Sequence, residues 1–259
     1  EGNQEKAEML TRQNFNSEVS YDADGENPFR FGSFTTMGEF YVETGLNIIG
    51  MSDYKRILSL DSAMAVVQFK KDHVVYQRNY FISYPANVMV MRFSADQPGK
   101  QNLVFSYAPN PVSTGNMASD GNKGLVYSAS LDNNGMKYVV RIQAETKGGT
   151  LFNADGKLAV KGADEVVFYI TADTDYKPNF DPDFKDSKTY VGVNPEETTK
   201  EWMNNAVSQG YTALFSQHYN DYAALFDLVK LNLNPAIKGR NLPTPQRLKN
   251  YRAGQPDYY

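Results

Sequence analysis

Between residues 53 and 96 the chain consists of short alternating runs joined by tight charged turns, which reads as the middle of a large β-sandwich. In Val66-Val67-Gln68-Phe69-Lys70, Val67 and Phe69 fall on one face and Gln68 and Lys70 on the other, the two-residue period of a half-buried strand. Lys71, Asp72 and His73 form a polar turn. The segment Val74 to Phe81 then returns as a strand rich in β-branched and aromatic residues. Tyr84-Pro85 interrupts the ladder, because proline has no backbone N–H to donate. The next run, Val88-Met89-Val90-Met91-Arg92-Phe93, is apolar on both faces at first, so it needs cover on two sides.

The pattern continues in both directions. Gly38 to Glu43 carries a short strand, and Leu103 to Tyr107 another, stopped by Pro109 and Pro111. Residues 110–124 are expected to be a polar loop. Leu125 to Leu131 and Met136 to Ala144 flank Asp132-Asn133-Asn134-Gly135, where Asn-Gly favours a hairpin because both residues tolerate positive φ. Gly148-Gly149, Asp155-Gly156 and Gly162 punctuate two further short strands, and Val166 to Ile170 closes the β region. Residues 1–30 are polar, lack an apolar period and include DADGENP at 22–28, which predicts an extended lead-in.

After residue 190 the period changes. Asn194, Pro195 and Glu197 supply an N-cap, a proline at the first helical position and a glutamate three residues after the cap. The predicted helix runs to about Ser208 and breaks at Gly210. Beyond it Tyr211, Leu214, Phe215, His218, Tyr219, Tyr222, Leu225, Phe226 and Val229 recur at spacings of three and four, forming a second helix with a broad apolar stripe. Leu231-Asn232-Leu233 reads as a short strand-like return, and Leu242 to Pro245 can cap a last helical turn through Tyr251. The fold expected is mainly β: a large antiparallel, supersandwich-like β-sandwich over 1–190, followed by a helical linker over 191–259.

Composition narrows the chemistry. No cysteine is present, so thiol nucleophiles, thiolate metal sites and disulfides are excluded. The formal charge of -4, from 26 basic and 30 acidic residues, comes without a basic run, which argues against a nucleic-acid partner. No stretch approaches the roughly 20 apolar residues of a membrane span, and EGNQEKAEML lacks the features of a signal peptide. Eighteen tyrosines and fifteen phenylalanines stand against a single tryptophan, Trp202.

Several stretches, in order along the chain, resemble glycoside hydrolase family 95, the inverting α-L-fucosidases and related α-L-galactosidases. They are GEFYV (38–42), DYKRILSLDSAMA (53–65), VVYQRNYFISYPANVMVMRFSAD (74–96), VVFYITADTDY (166–176), GYTALFSQHYNDYAALFDLVKLNL (210–233) and LPTPQRLKNY (242–251). GSFTTMGEF at 32–40 departs from the proline-containing approach usual in that family. The resemblance covers the amino-terminal β domain and linker, and implies a catalytic (α/α)6 barrel beyond them as the partner of this region. The acidic and amide residues that perform the chemistry belong to that barrel. No position here matches their motifs, so no catalytic residue is carried over. A periplasmic or secreted setting, and a fucosylated oligosaccharide as the parent's substrate, follow from the resemblance alone.

Among candidate sites, Asp173 and Asp175 of TADTDY, with Tyr176, stand just after an apolar strand; they fit a turn in which aspartates bind backbone amides, and could also touch a cleft rim. Asp181, Asp183 and Asp186 alternate like a calcium loop but lack its glycine and terminal glutamate, so a solvated loop is expected. His73 lies in a turn and His218 on a helical apolar stripe, without a common partner, and no metal or cofactor is expected. Trp202, His218 and Tyr222 are expected to pack helix against sandwich. Three readings follow: a non-catalytic domain that braces a barrel and lends loops to its cleft, a sugar-binding module in its own right, and a mutarotase-like enzyme needing a histidine and a carboxylate on one concave face.

Overall fold

A computed structural model describes residues 2–14, 35–132, 135–178, 191–230 and 242–254. Among the described residues twelve strands are arranged in two antiparallel sheets. They are β1 (Gly38–Glu43), β2 (Ser52–Ser59), β3 (Met64–Lys71), β4 (Val74–Ser83), β5 (Val88–Ala95), β6 (Gln101–Pro109), β7 (Ser113–Ser119), β8 (Gly124–Leu131), β9 (Lys137–Lys147), β10 (Thr150–Ala154), β11 (Lys157–Ala163) and β12 (Glu165–Thr174). Helices are α1 (Gln4–Asn14), α2 (Pro195–Phe226) and α3 (Thr244–Arg252). The smaller sheet has the order β1-β6-β11-β10 and the larger β2-β3-β4-β5-β12-β9-β8-β7. A mainly β sandwich of two antiparallel sheets is therefore the observed fold, as its sequence pattern requires.

The hairpin between β3 and β4 shows why the local sequence forms it. Asp72 and His73 both adopt positive φ, 49° and 64°, and Lys71 pairs directly with Val74. Two left-handed residues give a turn whose twist matches that of the strands it joins. Strand β5 receives the double cover that its composition demands. Met91 and Phe93 enter the core between the sheets, whereas Val88 and Val90 face α2. Strand β12 divides the same way, with Val166, Phe168 and Ile170 inside the sandwich and Val167 and Tyr169 under the helix.

The inter-sheet core is built on aromatic rings. Phe105 stacks on Phe168 with centroids 4.6 Å apart, and Phe93 meets Phe168 edge-on at 6.0 Å. Such pairs add about 0.5–1.5 kcal/mol each beyond the apolar area they bury. A satellite cluster of Phe69, Val74 and Tyr76 closes one end.

Two expectations are revised. Residues 113–119, expected within a polar loop, form edge strand β7, paired with β8 from Ser113↔Leu131 to Ser119↔Leu125. An edge strand with one wet face needs few apolar residues, and Met117 alone from β7 packs on the core. Residues 52–59 form β2 at the opposite edge, almost wholly exposed, so the burial alternation that betrays a strand is missing. Within the expected extended lead-in, Gln4–Asn14 is a helix, exposed over 4–11 and started by the Asn3 side chain accepting from the Lys6 N–H. The DADGENP segment, Leu231-Asn232-Leu233 and the aspartates Asp181, Asp183 and Asp186 lie outside the described residues.

Candidate functional site

The chemistry-bearing side chains collect where α2 lies on the outer face of the larger sheet. The helix begins as its sequence predicts: Asn194 Oδ1 accepts from the Glu196 N–H at 3.1 Å and Pro195 occupies the first turn. Glu196 reaches down to the sheet, accepting from Arg141 Nη2 at 2.7 Å and from Ser128 Oγ at 2.9 Å. Arg141 also donates through Nη1 to Asp120 at 2.6 Å. This guanidinium, 5% exposed, thus ties the β7–β8 turn and the start of α2 to strand β9. Charge-assisted pairs of this kind add directional specificity to an apolar contact.

Further along, Thr199, Met203 and Ala206 form the buried side of the first segment, and Thr171 Oγ1 on β12 donates to the Thr199 carbonyl at 3.0 Å. Gly210 then departs from helical geometry, with φ 71° and ψ 171°, splitting α2 into two helical segments at the predicted break. The left-handed φ suits glycine at this point. Tyr211 lies beneath Arg92, whose guanidinium carbon sits 4.9 Å from the ring centroid while Nη2 donates to Glu165 at 2.5 Å. The hydrogen bond to Glu165 raises the Arg92 pKa, and burial raises that of Tyr211. Tyr169 donates to Glu145 at 2.8 Å, and burial followed by this bond pushes its phenol above the ordinary range.

His218, expected at an interface between helix and sandwich, is there and is buried. Its ring stacks on Phe81 with centroids 5.0 Å apart, and Nε2 lies 3.0 Å from the carbonyl oxygen of Ala63 in the β2–β3 turn. That geometry calls for the Nε2–H tautomer, the nitrogen donating to the carbonyl. Ala63 has φ 47°, so the bond secures a turn residue in a left-handed conformation. Tyr222 is half-buried and stacks on Phe226 at 5.1 Å.

Trp202 does not join the buried cluster formed by Met203, Ala206 and Leu214. It is half-buried and lines an open groove of about 320 Å³ between α2 and the β4–β5 turn. Anchoring of the helix falls to its neighbours one and four residues on. Beyond His218 burial falls away: Leu225 near the end of α2, and Leu228 and Val229 just after it, are 70–81% exposed. Exposed Ile57 and Leu58 on β2, with Leu60 after it, border the turn that His218 grips.

The aspartates after β12 are divided rather than brought together. Asp175 is buried, its Oδ1 accepting from the Lys137 N–H at 2.9 Å, so it closes the start of β9 onto the end of β12. Asp173 Oδ1 accepts from the next residue's N–H, and Tyr176, exposed, bridges to Val191. His73 and His218 mark opposite ends of β3, about 25 Å apart at a strand's rise per residue, so they cannot share a reacting atom. Among the described residues no three His, Asp or Glu side chains are grouped to hold a metal. No described helix is long and apolar enough to cross a membrane. The groove and the Arg141 clamp were not legible beforehand, since each joins residues from elements far apart in sequence.

The β region of the chain is matched by a family profile. The profile described as "Glycosyl hydrolase family 65, N-terminal domain" covers residues 1–179, and the chain belongs to that family. Among curated relatives, "Probable alpha-fucosidase A" of Aspergillus niger is 29% identical over 243 residues, spanning 90% of this chain and 30% of its own length. "Alpha-L-fucosidase 2" of Arabidopsis thaliana is 24% identical, spanning 79% and 27% respectively. The chain thus spans about a third or less of the curated relatives it matches. Among solved structures, a "Putative kojibiose phosphorylase from human microbiome" superposes with TM-score 0.48 at 10% identity, over 71% of this chain and 27% of that one.

Proposed function

We propose that this chain is the non-catalytic amino-terminal β region of a fucosidase-type glycoside hydrolase of family 95. It braces a helical catalytic barrel and lends the Asp173–Tyr176 loop to the rim of its cleft. The parent enzyme hydrolyses α-L-fucosides, or α-L-galactosides, with inversion, in a periplasmic or secreted setting. Inversion needs an acid and a base carboxyl roughly 6.5–9.5 Å apart, and both lie in the barrel.

One observation carries the bracing role. The apolar stripe of α2 is buried at Leu214 and His218, and past them Leu225 near the helix end, with Leu228 and Val229 just after the helix, stand exposed and outside the core clusters. Exposed side chains of this size grouped within five residues suit a second apolar body. The fucosidase names of the relatives and the match to a glycosidase amino-terminal family support the choice of that body. Two measurements test the reading. The chain alone should not hydrolyse an aryl α-L-fucoside, and turnover would refute the non-catalytic role. In a protein that includes the barrel, amides of 219–229 and of β2 should exchange more slowly than in the chain alone; equal exchange would refute bracing through this surface.

A further inference from the structure

We propose that the groove beside Trp202 is a binding site for a neutral carbohydrate unit. Its volume of about 320 Å³ lies in the range, roughly 300–1,000 Å³, of pockets that hold small ligands. Trp202, Asn205 and Gln209 follow one another at spacings of three and four, so they line up along one side of the first helical segment. Met203 and Ala206, one position further round, are spent on the sheet. The break at Gly210 turns the chain so that Gln217 joins the same groove. The facing wall is the β4–β5 turn ending in Asn87, held by Ala86 N–H donating to Ser83 Oγ and Asn87 N–H to the Tyr84 carbonyl.

The lining selects the ligand class. Among the described residues it holds no lysine, arginine or histidine, so a phosphate or carboxylate finds no cation there. Amides dominate it, each offering donors and an acceptor, as vicinal hydroxyls do in return. Gln209 Nε2 is already engaged with the Asn205 carbonyl. Among the described residues the side chains of Asn87, Glu201, Asn205 and Gln217 have no intramolecular hydrogen bond, leaving them open to a ligand. An indole face beside them is the surface on which the C–H face of a sugar ring packs. The single tryptophan of the chain therefore stands where an apolar platform and unspent hydrogen-bonding groups converge.

Because Trp202 is the sole tryptophan, its emission reports on this groove alone. The 259-residue chain would be titrated with L-fucose, D-galactose, D-glucose and a neutral fucosylated trisaccharide. A saturable change in emission with at least one of them is expected. By ligand-observed NMR, Trp202→Ala should weaken that sugar's binding by about tenfold or more, and Trp202→Phe should restore most of it. Asn205→Ala and Gln217→Ala should each weaken it several-fold. A sugar phosphate should bind more weakly than the corresponding neutral sugar. Absence of saturation with all four neutral sugars, unchanged affinity in Trp202→Ala, or a sugar phosphate binding as tightly would overturn the proposal. Should thermal unfolding show Trp202→Ala misfolded, the Asn205 and Gln217 variants decide the matter. The bracing role stands or falls separately, on the exchange of 219–229 and on turnover.

Discussion

The two faces of the eight-stranded sheet are held by different means. Toward the smaller sheet, contact is ring on ring and side chain on side chain, with Phe105, Phe168, Leu125, Val140 and Ile142 at 0% exposure. Toward α2, a smaller apolar patch of Phe81, Val90, Tyr169, Met203 and Leu214 is framed by polar ties at Arg141, Thr171, Arg92 and His218. A sandwich core of that size specifies itself by shape and volume. A single helix on a sheet could slide or rotate, and directional bonds at both of its ends remove that freedom. The difference predicts that the inter-sheet face carries global stability while the helix face carries placement.

The largest expected effect tests the first half of that statement. Phe168→Ala leaves a cavity between the sheets and should cost about 3–5 kcal/mol, with sheet and helix signals lost together in urea. Phe81→Ala, on the helix face beneath His218 and Phe215, should cost about 2–4 kcal/mol. Its signature differs: amides of 195–226 should exchange faster while those of β8, β9 and β12 keep most of their protection. Equal loss at both places would make the two faces one cooperative unit and end the distinction. Met89, half-buried against the inter-sheet core, belongs with Phe168 but should cost less when cut to alanine.

Arg141→Met keeps the apolar stem and removes both ion pairs. Asp120 and Glu196 are more than a third exposed and can rehydrate, so the cost should be about 1–2 kcal/mol. It should fall on the first turn of α2 and on the β7–β8 turn, read by local exchange. Asn194→Ala removes the cap and should cost about 1 kcal/mol, confined to the same turn.

The smallest effect is one of pH. Burial, then the neighbouring Tyr138, raises the Tyr107 phenol far above its ordinary value, and its O–H donates to the Met37 carbonyl. In the unfolded chain that phenol ionises near pH 10, while in the fold it stays protonated. The folded state then binds more protons than the unfolded one, so stability is full below about pH 10 and declines as pH rises above it. Tyr107→Phe should flatten this alkaline decline, measured as the pH dependence of the urea midpoint between pH 8 and 11. An unchanged slope would show that Tyr107 is not protected in the fold.

What could be read from the sequence followed how strongly each segment alternates. β3, β4, β5 and β12 were evident because each has a buried face, and α2 was evident because Asn194, Pro195 and Gly210 mark its start and its break. β7 and β2 were not, since edge strands expose most of their residues and composition then resembles a loop. Trp202, on a predicted helix, was expected to anchor that helix to the sandwich, but a rotation of one position gives the buried place to Met203. Asp175 was legible as a turn residue, and its carboxylate does bind a backbone N–H, though at Lys137 on another strand rather than nearby.

By itself the sequence determined the strands that have a buried face, the hairpin turns, the capped and broken helix, and the exclusion of thiol chemistry. These depend on neighbours within a few residues, where periodicity, proline, glycine and side-chain caps act. The tertiary structure alone decided which face of each strand meets the second sheet and which meets α2. It also joined Arg141 to both Asp120 and Glu196, set His218 against Ala63, and opened a groove between Trp202 and Asn87. Those are contacts between segments 21 to 155 residues apart, and they exist only once the apolar faces have been buried against one another.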